Sequence, residues 1–237
     1  MTPADFLAAV NAVAGHSTND FSHHSCPDQR VARLVNGDWT DPDRVNLPAE
    51  REPGQRVLHI VLESPHKHEF GPAPGFAPKG PAMNTTGKNI QKCLNLIPGL
   101  NPGDFDLYLI NAIQYQCSLG RLGEPLYEKR RDLVWHECWH RHNGRVCFED
   151  RLRRYYRSGD LVLVAATQTK LSKQLRHSYG FQDITKEGKK YVIDCSVATL
   201  PGRAHSVRHH RLWDNGVAHA DFLTYHPSSW RAFVQFP

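Results

Sequence analysis

A mostly parallel α/β sheet flanked by helices is predicted by the way apolar runs and helical periodicities alternate along the chain. Val57-Leu58-His59-Ile60-Val61-Leu62 opens into Glu63-Ser64-Pro65-His66, and Leu107-Tyr108-Leu109-Ile110 opens into Asn111-Ala112-Ile113. A third run, Leu161 to Ala166, opens into Thr167-Gln168-Thr169. Short continuous apolar runs read as strands buried on both faces. Strands that each end in polar residues build a cleft along the carboxyl edge of an open sheet.

Taken in order, Pro3 to Val13 has the pattern of a short amphipathic helix. Pro27, Pro42 and Pro48 break up the rest of residues 1–50, which reads as an N-terminal helical arm. The first strand is expected at about Arg56 to Leu62. From His66 to Pro81, the prolines Pro72, Pro74, Pro78 and Pro81 alternate with glycines and demand a loop. Thr85 and Thr86 can cap a helix over Lys88 to Ile97, with Ile90, Cys93, Leu94 and Ile97 on one face. The second strand, Leu107 to Ile113, leads into a basic and aromatic insertion with helical spacing over Leu126 to His142 and Phe148 to Tyr156. After the third strand comes a helix from about Thr169 to Leu175, and Tyr191 to Ala198 is expected as a fourth strand. Arg203 to Asn215 is an Arg/His-rich loop, and Phe222 to Tyr225 delivers the chain to His226. These elements make one domain over residues 1–237, a central four-stranded, mostly parallel sheet with helical insertions.

Composition sets the bounds. With 237 residues, 40% hydrophobic and 22% charged, the chain has the make-up of an ordinary globular domain with a sizeable core. Lys and Arg outnumber Asp and Glu by 29 to 24, and fifteen histidines can add charge beside an acidic polymer, so a polyanionic partner is allowed. No apolar stretch reaches membrane-spanning length and no basic-then-apolar leader is present, so a cytoplasmic protein with no membrane partner is expected. The six cysteines lack the rhythm of a disulfide framework and are expected as buried thiols. A monomer is the default.

Four motifs fall in order along the chain, at expected strand ends and one helix start: Leu62-Glu63-Ser64-Pro65-His66, Thr85-Thr86-Gly87-Lys88-Asn89, Leu109-Ile110-Asn111-Ala112-Ile113, and His226-Pro227-Ser228-Ser229-Trp230. Together they resemble the uracil-DNA glycosylase superfamily. The Glu63 motif is similar to that family's water-activating motifs GQDPY, GEAPG and GINP, with proline in register. The Thr85 motif resembles the helix start that follows GEAPG, and the Asn111 motif is similar to the strand end LLLNAVLT. The His226 motif resembles HPSPL. The resemblance covers about residues 55 to 230, with long unmatched insertions, and it implies a three-layer sandwich.

The resemblance also implies roles. Cleaving a base from deoxyribose passes through an oxocarbenium-like sugar. A Glu63 carboxylate would stabilise it and orient water, and His226 would stabilise the charge developing on the departing base. Asn111 carries a donor and an acceptor, which suits a pyrimidine edge. Catalysis would therefore rest on Glu63, His226 and Asn111. Asn111, Ser64, His66, Phe70 and Tyr115 would contact the base, with Phe76 a further stacking candidate. Ser228, Ser229, Trp230, Arg231, Thr86, Lys88, Thr167 and Lys170 would contact DNA, with Trp230 either a wedge in the duplex or a core aromatic.

Two departures qualify the match. Ser64 cannot serve as a carboxylate base, and the cysteines lack the local cluster of the iron–sulfur branch, so no cofactor is called for. His66 stands where GQDPY has its gating tyrosine, which suits a roomier pocket. One branch of the superfamily removes glucosylated hydroxymethylcytosine from phage DNA. The expectation is accordingly a monofunctional glycosylase for a modified pyrimidine in antiviral defence, with uracil or mismatch repair as one alternative. A non-catalytic DNA-binding module of the same fold, motivated by Ser64, is another. A small-molecule nucleotide enzyme is disfavoured because no GxxxxGK[ST] loop occurs. His136, Cys138, His140, His142 and Cys147 invite a zinc site, though their spacing matches no standard pattern and no metal is assigned.

Overall fold

The computed structural model describes residues 1–13, 19, 21–36, 38–40, 43–48, 51, 54–72, 75–94, 104–117, 125–167, 169–184, 186–200, 207–208 and 227. For residues 125–130, 207 and 208 the backbone alone is described. It is an α/β structure around a mixed sheet whose central strands are parallel.

α1 (Pro3–Asn11) starts in a capping box, in which Thr2 accepts from the Asp5 amide and Asp5 accepts from the Thr2 amide. The next segment does not extend a helical arm. It forms β1 (Gln29–Val35), β2 (Asp38–Thr40) and β3 (Val45–Asn46), with β2 and β3 each antiparallel to β1. β1 buries Val31, Ala32 and Leu34, and it pairs antiparallel with the sheet through a bulge between Arg30 and Ala32.

β4 (Val57–Leu62), β5 (Phe105–Asn111), β6 (Leu161–Val164) and β7 (Val207–Arg208) are the parallel strands. The sheet order is β2-β1-β5-β4-β6-β7. The fourth parallel strand is thus Val207–Arg208, inside the stretch expected as a loop. The expected strand at Tyr191 to Ala198 is instead part of α6 (Gly188–Thr199). Its buried residues Val192, Cys195, Ser196 and Thr199 recur at helical spacing, which overrides the β-branched composition of Val192, Ile193 and Val197.

Helices cover both faces of the sheet. Leu58, Ile60, Leu62, Leu107, Leu109 and Leu163 pack with Ile90, Cys93 and Leu94 of the α2 (Thr85–Cys93) side. Val61, Ile110, Val162 and Val164 pack on the other face with α1, α3 (Pro125–Arg141), α4 (Gly144–Tyr155) and α6. Burial on both faces is why β4 and β5 read as unbroken apolar runs. α5 (Lys173–Ser178), capped by Ser172, links β6 to α6.

The chain leaves β4 through α2 to reach β5 on one side, then crosses back through α3 and α4 to β6 on the other. That reversal places a topological switch point between the carboxyl ends of β4 and β6, where open α/β sheets form a crevice. All six cysteines are free thiols and five are buried, as composition suggests. Among the described residues, no helix is long and apolar enough to cross a membrane.

Candidate active site

Glu63 and Asn111 stand at the carboxyl ends of two hydrogen-bonded parallel strands. Leu62 is in register with Asn111, the Ala112 amide donates to the Leu62 carbonyl at 2.8 Å, and the Ile113 amide donates to that of Glu63 at 3.0 Å. Both side chains are nearly sealed, Glu63 at 5% exposure and Asn111 at 1%. Yet Glu63 Oε1 and both Asn111 amide atoms, Oδ1 and Nδ2, have no hydrogen-bond partner among the described residues. A buried polar atom without a partner costs about 1–3 kcal/mol, so each of these atoms calls for an explanation.

Their backbones are held from outside the sheet. The Trp135 indole on α3 donates to the Glu63 carbonyl at 3.4 Å. Arg151 on α4 donates to the carbonyls of Asn111 at 2.8 Å and Ala112 at 3.0 Å, while its other nitrogen grips the buried Asp28 carboxylate at 2.6 and 2.9 Å. Neither residue stands out in the sequence, because a basic residue on an amphipathic helix reads as a solvated charge and a tryptophan as core.

Burial pushes the Glu63 carboxyl up to about 7, while Arg131 on α3 opposes that rise and Asp132 adds to it. The Arg131 Nε lies 3.8 Å from Glu63 Oε1. Near neutral pH Glu63 is therefore divided between acid and carboxylate, a state suited to proton transfer or charge stabilisation. The Cys117 thiol lies against the Ser64 hydroxyl, and burial holds it well above its usual range, so it behaves as a neutral wall.

β6 adds a third strand end. Thr167 Oγ1 and Thr169 Oγ1 are buried and without a partner among the described residues. Thr169 takes a left-handed backbone, φ 43°, which is a strained choice for a β-branched residue. His136 fixes it there, its Nε2 donating to the Thr169 carbonyl at 2.8 Å. Burial takes His136 down to about 4, so the ring is neutral and Nε2 carries its proton. Gly188 at the start of α6 packs so closely that a β-carbon there would overlap the Thr169 hydroxyl.

The remaining expected site residues divide among several places. Ser64 and His66 follow Glu63, both half-buried, and His66 caps a short 3-10 turn over Lys67–Glu69 by accepting from the His68 amide. Burial and the neighbouring His68 and Lys67 take the His66 ring down to about 4, so it is neutral. Phe70 is buried, bridging backbone to backbone with Pro78 inside the loop. Tyr115 stacks on Phe6 of α1 with ring centroids 5.0 Å apart, so one face of the ring is already covered by core. It lines a cavity of about 240 Å³ with Gln114, Arg151 and Arg154. Thr86 is half-buried and Lys88 exposed in the first turn of α2, whose N-cap is Asn84 rather than a threonine. Lys170 is exposed beyond β6.

His226, Ser228, Ser229, Trp230 and Arg231 lie outside the described residues. Their neighbour Pro227 is buried, and its carbonyl accepts a 2.8 Å hydrogen bond from the Asn89 amide on α2. The C-terminal motif is thereby tied to the helix that follows the Glu63 loop. The sequence contains the signal for that contact, since Asn89 falls within Thr85-Thr86-Gly87-Lys88-Asn89.

The histidine- and cysteine-rich helix does not gather a metal site. His136 and His140 stack with parallel rings 5.5 Å apart and meet Phe181 and Tyr191, while Cys138 is buried in the core and His142 lies 3.7 Å from Glu137. Among the described residues, no three His, Cys, Asp or Glu side chains converge as metal ligands. No family model, curated protein or solved structure matches the chain.

Proposed function

We propose that the protein is a monofunctional DNA glycosylase that hydrolyses the N-glycosidic bond of a flipped, modified pyrimidine and leaves an abasic site. The observation that carries this reading is the pair of adjacent strand ends bearing buried polar atoms without a partner among the described residues: a carboxylate oxygen on Glu63 and a full amide on Asn111. An amide with both its donor and its acceptor open suits the edge of a pyrimidine. A carboxylate at the neighbouring strand end suits an oxocarbenium-like sugar and the water that attacks it. The four parallel strands run second-first-third-fourth in chain order, and the switch point they create, on the β6 side of the strand that leads into Glu63, is where a ligand crevice belongs. The Asn89–Pro227 hydrogen bond supports a role for the His226-Pro227-Ser228 motif in the same reaction, with His226 stabilising the leaving base. The uracil-DNA glycosylase-like architecture, the DNA partner and the role in antiviral defence belong to this proposal.

The test is direct. The protein is incubated with DNA containing uracil, hydroxymethylcytosine or glucosylated hydroxymethylcytosine, and alkali-labile sites are scored. Release of the modified base, lost in Glu63→Gln, is the expected result. Release of uracil alone would move the assignment to repair. Salt-sensitive DNA binding without release from any substrate would leave a non-catalytic module.

A further inference from the structure

α3 meets Glu63 at two points, one turn apart. Trp135 holds the Glu63 backbone carbonyl, and Arg131, four residues earlier on the same helix face, reaches the carboxylate. The Arg131 contact is unusual for an ion pair. Its Nε and Nη2 both donate to Asp132 Oδ1, at 2.8 and 2.6 Å, and these bonds draw the guanidinium back. The 3.8 Å left between Arg131 Nε and Glu63 Oε1 is too long for a hydrogen bond but close for a charge. Glu63 is 6% exposed on its side chain and Arg131 28%, so the cation sits at the mouth and the anion at the floor.

We propose that Arg131, restrained by Asp132, is a positioning residue that sets the charge of the Glu63 carboxylate from a distance and leaves its oxygen open to substrate and water. The proposal rests on the reading of Glu63 as the residue that faces the reacting sugar. A direct salt bridge would stabilise the anion more strongly but would occupy the lone pairs the chemistry needs. An apolar neighbour would leave the lone pairs open and the group protonated. The withdrawn guanidinium meets both demands. Among the described residues, the titratable groups facing Glu63 are Arg131 and Asp132 from α3 and Cys117 from the segment after β5; the buried Cys117 thiol stays neutral. Among the groups acting on Glu63, burial raises its affinity for a proton, Arg131 lowers it and Asp132 raises it.

The experiment is a carboxyl-carbon NMR titration of the full-length protein, with the Glu63 resonance assigned by its absence in Glu63→Gln. In Arg131→Gln the Glu63 midpoint is expected to rise by about one pH unit, the effect of removing a close opposite charge. Arg131→Lys keeps it near the wild-type value, and Asp132→Asn lowers it. These shifts of opposite sign are not what a merely structural role produces. An unmoved midpoint in Arg131→Gln overturns the proposal; if that variant does not fold, a midpoint in Asp132→Asn that fails to fall does so instead. The midpoint is read without substrate, so failure to release any base retires the glycosylase reading alone. Base release whose acid limb is unchanged in Arg131→Gln retires the role of Arg131 alone.

Discussion

At the scale of single residues, burying the Glu63 carboxyl costs stability wherever it is ionised. Its carboxyl titrates at about 7 when folded, against an ordinary value of 4.5. The folded state therefore binds the proton more tightly than the unfolded chain, and stability falls as pH rises from about 4.5 to about 7. A shift of this size corresponds to about 3 kcal/mol above pH 7. Glu63→Gln is expected to abolish base release yet raise the melting temperature at pH 8, and the gain should vanish by pH 4, as calorimetry at the two pH values would show. Asn111→Leu has the same logic without the pH dependence. It removes two amide atoms without a partner among the described residues and should leave stability unchanged or raise it by about 1–3 kcal/mol in urea unfolding, while base release is lost. Were Asn111 only a turn former, the substitution would destabilise the fold and leave the chemistry alone. Glu63 and Asn111 are legible in the sequence as polar residues closing apolar runs, and since a loop cap or a turn former gives the same pattern, it is the order of the motifs that singles them out. Arg131, Trp135 and Arg151 are not, since their roles depend on which helix face meets which strand end.

At the scale of elements, the α3–α4 corner docks against the end of β5 through a glycine. A β-carbon on Gly144 would press on Ile113 Cδ1 at 2.5 Å and on the Cys138 carbonyl at 2.6 Å. Gly144→Ala is expected to cost about 1–3 kcal/mol, measurable by urea unfolding, because the backbone carbonyl has nowhere to move. It should also reduce activity, since α4 carries the arginine that holds the Asn111 carbonyl. Legibility differs sharply between elements. β4, β5 and β6 announce themselves through unbroken apolar runs, and α3 and α4 through period. β1 is hidden because Arg30 and Arg33 interrupt its apolar pattern at half-buried positions and three prolines nearby suggest an irregular arm. β7 is two residues long, below what any periodicity can register. α6 has the composition of a strand, and its β-branched residues mask its glycine start and its 3.6-residue burial period.

At the scale of the whole molecule, a buried polar network ties the amino ends of the sheet together. Asp160, just before β6, accepts from Arg51 and from the amides of Val57 and Arg157, and its carboxylate meets His59 Nε2 at 3.3 Å. Arg51, His59 and Asp160 are all buried. Removing one partner strands the others, so Asp160→Ala is expected to cost about 3–5 kcal/mol in urea unfolding. The hydrogen bonds and charges around Asp160 hold its carboxyl below the ordinary range. Its contribution is present above the unfolded value of 3.8 and is lost as pH falls through the lower folded one, and the destabilisation in Asp160→Ala should shrink accordingly in strong acid. This network lies at the end of the strands opposite the candidate site, so the scaffold and the chemistry can be perturbed separately.

The antiparallel ribbon of β1 has a consequence for that chemistry. By zipping onto the outer edge of β5, with Gln29 opposite Leu109, it turns the strand bearing Asn111 from a sheet margin into an interior strand locked on both flanks. The strand that carries the amide is then held by two hydrogen-bonded registers at once. Dropping one residue from the middle of β4 or β5 would invert the direction of the side chain at its tip and leave the crevice lined by the wrong face.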